Sequence, residues 1–213
     1  MPPSSRLIDQ SLELFAGSLA ARTATPGGGS MAAFLTASGA ALVAMACRFT
    51  SGEKFAAVEA AMLRASGSLD EIRARAMPMV DLDAASYDAV TGAYGLPKST
   101  DAEKALRSDA IQRAFKGALN VPFETMRMAL AALETAAPVA VSINPNLKSD
   151  CAVGARCLAT ALESAFLNVR INAASIKDAG FVALRLAESE KMRMRARELS
   201  EKIAAAVEGT QLP

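Results

Sequence analysis

The chain has 213 residues, 52% of them hydrophobic, which is enough for one sizeable core and marginal for two, so residues 1–213 are expected to form a single domain. With 23 basic residues against 22 acidic, the net charge is +1, which provides no field to gather nucleic acid or an anionic membrane, and neither is an expected partner. Histidine is absent, which excludes Ser-His and Cys-His nucleophile pairs and the HExxH zinc site, and leaves acid-base chemistry to carboxylates, lysines, tyrosines or water.

Three cysteines, Cys47, Cys151 and Cys157, have no C-x-x-C spacing. They read as free thiols in a reducing cytoplasm, and no metal site is expected. The opening "MPPSSRLIDQ" lacks the charged segment and apolar run of a secretory signal.

A first helix is expected near residues 5–21, ended by "ATPGGGS". The next, near 28–51, contains the uncharged run Met31 to Cys47, which is shorter than the ~20 apolar residues of a membrane span and holds Thr36, Ser38 and Gly39. A buried core helix is the expectation, and its small residues Gly39, Ala40, Ala41 and Ala44 would admit another helix closely or sit in a subunit interface.

A long helix near 54–93 is expected to kink at Pro78, and another near 100–137 at Pro122. Thr100 with Glu103 forms a capping-box pattern ahead of the second. Ser149 marks the start of a helix near 149–176, and the charged stretch 179–208, with Glu198 and Lys202 four apart, reads as a solvated helix face. Strand-like alternation is scarce, so the fold class is all-α: a multihelical bundle of long helices.

Four places carry candidate chemistry. Pro26, Gly27, Gly28, Gly29 and Ser30 offer bare backbone N–H groups at a helix start, suited to an anion or polar ligand; a tight helix connection capped by Ser30 explains the turn as well. In "VDLDAASYDAV", Met77, Val80, Ala84, Tyr87 and Tyr94 fall on one stripe. Asp83 lies on its tyrosine side and Asp81 on the other edge, so Asp83 is either drawn into a partly apolar pocket, where its pKa rises, or solvated at the edge. The loops "GLPKSTD" and "NPNLKSD" each place a lysine and an aspartate near a helix start, as a ligand site or an ordinary surface loop does. Asn168 and Asn172 stand one turn apart on an otherwise apolar helix, where they cross-link helices or hold a ligand.

In this order, "TPGGGSMAA", "GAALVAMAC", "DLDAASYDAVTGAYGLPKSTDAEKALRSDAIQRAFKGALNVP", the Ser-Asp at 149–150 and "NVRINAASIKDAGF" resemble the formiminotetrahydrofolate cyclodeaminase and methenyltetrahydrofolate cyclohydrolase family, from about Leu14 to Phe181. The resemblance implies an intertwined homodimer of all-helical subunits, a folate bound in a cleft, and no metal or cofactor beyond the tetrahydrofolate derivative that serves as substrate. It assigns acid-base catalysis to Asp83. It carries substrate binding over to the turn Pro26–Ser30, Lys98 and Asp150, and Lys54, Asn144, Asn168 and Asn172 are further binding candidates read from their own positions.

Two positions depart from the family pattern. Glu53 and Lys54 stand where two basic residues are common, and Ile143-Asn144-Pro145 replaces a Gly-Asn, changes that bear on the folate's glutamate tail and on substrate choice. The activity implied is a methenyltetrahydrofolate cyclohydrolase giving formyltetrahydrofolate. The alternatives are a formiminotetrahydrofolate cyclodeaminase releasing ammonia, a non-catalytic folate-binding paralogue, or a helical partner protein.

Overall fold

The computed structural model describes residues 6–208, which contain seven α-helices and no β-strand. These are α1 (Leu12–Ala20), α2 (Gly28–Arg48), α3 (Ala56–Ala76), α4 (Met79–Tyr94), α5 (Asp101–Ala136), α6 (Lys148–Ala173) and α7 (Ala179–Glu208). Short 3-10 turns at Leu7–Asp9, Glu53–Phe55, Ala140–Ser142 and Pro145–Leu147 join or precede them.

α2 is the central helix. No residue from Gly29 to Cys47 is exposed, and the helix packs mainly on α6 and α3, with α4 and α5 completing its surround. Gly39 sits against Gly154, and Gly28 sits against Asn168, so α2 and α6 run antiparallel. A methyl group on Gly39 would lie 2.8 Å from the Gly154 carbonyl oxygen, and one on Gly154 would lie 2.9 Å from that of Gly39. The two backbones meet because neither has a side chain there.

α2 is long and apolar enough to cross a membrane by length and composition, yet most of that stretch is buried against other helices. Leu69 from α3, Leu119 and Leu133 from α5, Leu158 and Leu162 from α6 and Ile203 from α7 close the core around it. Each such side chain contributes about 1.5–3 kcal/mol when fully buried.

Several boundaries differ from expectation. Residues 54–93 form two helices, because Pro78 has no N–H to donate and its ring crowds the carbonyl of Ala74. The helix expected near 100–137 does form, as the 36-residue α5 with Pro122 inside it. The first helix is reduced to a 3-10 turn plus α1, which Ser11 caps by accepting from the Leu14 N–H (3.2 Å); residue 5 lies outside the described residues. α2 ends at Arg48, before Gly52 turns the chain at φ +86°.

α6 starts at Lys148, so Ser149 lies inside its first turn rather than ahead of it; the preceding 3-10 turn, capped by Asn144, leads directly into the helix. Likewise Ser30 does not cap α2, because Gly27 occupies the N-cap. The Thr100–Glu103 capping box forms as expected, with both reciprocal bonds present. On α7, Glu198 pairs with Arg195 at 2.8 Å.

Candidate active site

The N-terminus of α2 lacks a side-chain cap of its own, since Gly27 has none to offer. The first turn of a helix leaves backbone N–H groups unpaired, with a partial positive charge behind them. Asp83, reaching across from α4, fills that place. Its Oδ2 lies 3.0 Å from the Ser30 hydroxyl, and its carboxyl rests on the Cα of Gly29. A methyl group at Gly29 would stand 2.5 Å from the Asp83 Cγ and overlap an oxygen of the carboxyl.

The turn is therefore bare chiefly to admit a side chain of its own protein. Gly28 faces Asn168 at ordinary contact distance, and a methyl group on Gly27 would meet only the Ala24 carbonyl oxygen, at 3.9 Å. The Thr25–Pro26 peptide is cis and Pro26 is buried.

Burial pushes the Asp83 carboxyl above the usual carboxylate range, and the Ser30 hydroxyl and backbone N–H offset part of that rise. Asp83 is nevertheless not sealed off. It lines a cleft of about 450 Å³ with Gly27 and Gly28 at one edge, Tyr87 and Tyr94 from α4, and Asn168 and Asn172 from α6. The asparagines are anchored through their amide groups, Asn168 to the Ser164 carbonyl (3.0 Å) and Asn172 to the Ala118 carbonyl on α5 (2.9 Å). Both tyrosines of the chain lie in this cleft, each about half exposed. Tyr94 meets Phe115 edge-on at 6.2 Å and carries the Arg107 guanidinium 5.4 Å from its ring centre.

Asp81, two residues from Asp83, points elsewhere and accepts the Leu7 N–H at 2.5 Å. Lys98 lies beside the cleft, in a second recess of about 400 Å³ that shares Tyr94 and Ser175 with it and also holds Lys104, Arg107 and Lys177.

Lys54, Asn144 and Asp150 belong to the opposite end of the molecule. Asn144 donates to the Phe49 carbonyl (3.0 Å) and its backbone N–H to the Thr50 hydroxyl (3.0 Å), at the C-terminal end of α2. A 21-residue helix spans about 30 Å, and the 18 residues from Asp150 to Asn168 span about 27 Å of α6. The chain thus unites Asp83, the glycine turn, Asn168 and Asn172, sets Lys98 next door, and separates the other three.

Ser86, Thr91, Phe115 and Ile171 also line the cleft and were not singled out in the sequence. Its aromatic wall follows from the expected stripe, which sets the only two tyrosines seven residues apart, two turns of one helix face. Among the described residues, no cluster of three or more His, Cys, Asp or Glu side chains is arranged to hold a metal ion.

A half-buried carboxyl at the start of the central helix faces an aromatic cleft, an arrangement with the shape for a flat small molecule and the chemistry to move a proton on it. The chain belongs to the formiminotransferase-cyclodeaminase family, whose sequence model matches residues 11–191. It is 40% identical over 196 residues to a methenyltetrahydrofolate cyclohydrolase of Methylorubrum extorquens, covering 92% of this chain and 94% of that one. It is 36% identical over 180 residues to the formimidoyltransferase-cyclodeaminase of Rattus norvegicus, covering 83% of this chain but 33% of the rat protein. The crystal structure of a formiminotetrahydrofolate cyclodeaminase from Thermotoga maritima superposes with a TM-score of 0.84 at 28% identity, covering 94% of this chain and 97% of that one.

Proposed function

We propose that the protein is a methenyltetrahydrofolate cyclohydrolase. The observation that carries this reading is the Asp83 carboxyl, held on Gly29 and Ser30, raised in pKa and open to a cleft with two tyrosine rings. The 40% identical cyclohydrolase, matched over nearly its whole length, supports the choice of reaction.

The pterin rings would lie against Tyr87 and Tyr94, with the asparagines of α6 offering polar contacts. Water then adds to the electrophilic bridging carbon as Asp83 takes its proton. When the carbon–nitrogen bond breaks, Asp83 returns a proton to the leaving ring nitrogen and the hydroxyl of the adduct loses its own to solvent, leaving formyltetrahydrofolate. A carboxyl whose pKa is raised serves both as base and as acid. The anionic far end of the folate fits the neighbouring recess of Lys98, Lys104, Arg107 and Lys177.

A second reading is favoured by the likeness to the Thermotoga cyclodeaminase. In that reaction the neighbouring folate nitrogen attacks the formimino carbon, ammonia leaves, and the same carboxyl carries the proton.

A homodimer is part of the reading. Ser149, Val153, Arg156, Thr160, Leu167 and Ile171 form an exposed stripe along α6, beside the half-buried Met31, Leu35, Leu42 and Met45 of α2. Lys54, Asn144 and Asp150 cannot reach a folate in their own subunit's cleft, so their role in binding requires a second copy packed along these helices. Free thiols at Cys47, Cys151 and Cys157 support a cytoplasmic location.

The test is to mix the protein with methenyltetrahydrofolate and follow loss of its ultraviolet absorbance, and in parallel to assay ammonia release from formiminotetrahydrofolate. Absorbance loss well above the buffer rate is expected. Ammonia release without it would select the second reading, and neither would reject both.

A further inference from the structure

Ser30 has one hydroxyl proton and two partners. It is fully buried, with its Oγ 2.9 Å from the Val80 carbonyl oxygen and 3.0 Å from Asp83 Oδ2. The carbonyl can only accept. An ionised Asp83 can also only accept, so the single proton then has two claimants. A neutral Asp83 protonated on Oδ2 instead donates to Ser30, which donates on to Val80, and every group in the chain is satisfied.

From this geometry we infer that Ser30 is a positioning residue whose hydroxyl turns toward Asp83 Oδ2 when the carboxyl is ionised and toward the Val80 carbonyl when it is protonated. The inference rests on the acid-base role proposed for Asp83. Such a rotor gives the carboxyl a partner at both ends of a proton-transfer cycle, at the cost of rotating one bond. It also keeps Oδ2 engaged in either state, so the carboxyl holds its orientation over Gly29 while its charge changes. The Val80 carbonyl, in the first turn of α4, loses little when the hydroxyl turns away, because a helix carbonyl at that position can also accept an intrahelical bond.

The surroundings leave few competitors for this role. The cleft side of α2 presents Gly28, α5 presents Phe115 and Ala118, and α6 presents Asn168 and Asn172, none of which titrates. The other titratable groups lining the cleft are Tyr87 and Tyr94, on the same helix as Asp83. The cations Lys98, Lys104, Arg107 and Lys177 sit in the adjoining recess, and Asp81 is occupied with Leu7.

The experiment compares pH profiles of kcat/KM for methenyltetrahydrofolate in the wild type, Ser30→Ala and Ser30→Cys, with thermal melts to establish that each is folded. A general base must be ionised, so the rate rises with pH through its pKa. Ser30→Ala takes a partner from both forms of the carboxyl, but the charge-assisted bond to the carboxylate is roughly twice as strong as the bond made by the neutral acid, so the acidic limb should still move up, by about half to one pH unit. Ser30→Cys, similar in size with a weaker donor, should fall between the two.

A limb unmoved in both variants, or lowered activity with an unchanged profile, overturns the inference and reduces Ser30 to a packing residue. If Ser30→Ala does not fold, the limb of Ser30→Cys decides alone. Wild-type protein inactive on both folates would fail the functional reading itself, an outcome distinct from a hydrolysing wild type whose variants keep its profile.

Discussion

α2 uses the absence of a side chain in two places, and the two differ in what they admit. At Gly39 the visitor is backbone: the Gly154 carbonyl of α6 lies where a methyl group would project, with Leu158 and Cys157 crowding the same space. At Gly29 the visitor is the Asp83 carboxyl, a group that can change its charge. The first contact is symmetric, permanent and buried. The second lies at a helix start, beside a cleft, and brings a desolvated acid to the positive end of a helix. Close packing around a glycine is thus fold at one site and chemistry at the other, and the identity of the approaching atom separates them.

This contrast can be broken most severely at Gly29. Gly29→Ala must displace the Asp83 carboxyl, and a misplacement of about 1 Å costs on the order of 100-fold in turnover. Steady-state kinetics should show that loss with the melting temperature little changed, since an alanine in the first turn of α2 does not disturb the core. A parallel loss of stability would mean that Gly29 belongs with Gly39.

At the crossing of α2 and α6 the expectation is reversed. Gly154→Ala should destabilise by roughly 1–3 kcal/mol, because besides the Val43 side chain the obstacle includes the Gly39 carbonyl, which is backbone and cannot rotate away. The better helix propensity of alanine, up to ~1 kcal/mol, does not offset this. Denaturant titration should record the shift, with kcat of the folded fraction near wild type.

Charge sharpens the comparison further. Burial raises the Asp83 pKa above its unfolded value, so between the two values the native state binds more protons than the unfolded chain. Stability therefore falls as pH rises through that window, and the cost is fully present above it. Asp83→Asn should melt higher than the wild type at neutral pH, with the advantage shrinking as pH is lowered toward the ordinary carboxylate range. No such pH-dependent gain would mean that Asp83 is not desolvated. The smallest effect is expected at Gly28, where a methyl group meets the Asn168 amide at 3.4 Å; Gly28→Ala should change kcat/KM by no more than about twofold.

Much of this was legible in the sequence. Propensity and punctuation gave the helices, because Thr100 and the glycine turn act locally. Pro78 and Pro122 show where local rules stop: one separates α3 from α4, while the other is carried through α5. The stripe on α4 placed Asp83 on the tyrosine side correctly, since helical geometry alone fixes that angle.

What meets Gly29, and which neighbour Ser30 touches, depends on a crossing of two helices fifty residues apart in sequence, which no periodicity encodes. The separation of Lys54, Asn144 and Asp150 from the cleft was hidden for the same reason. Their motifs adjoin helix ends, and only the antiparallel packing of α2 on α6 reveals that these ends lie far from the cleft.

The central claim is that the carboxyl resting on Gly29 moves the proton. Its most direct test is kcat/KM of Asp83→Asn for methenyltetrahydrofolate, measured beside the wild type on protein shown to be folded at the assay temperature. The account predicts a fall of about 100-fold or more. A folded Asp83→Asn protein that hydrolyses the substrate at the wild-type rate would contradict it and move the chemistry to another group in the cleft.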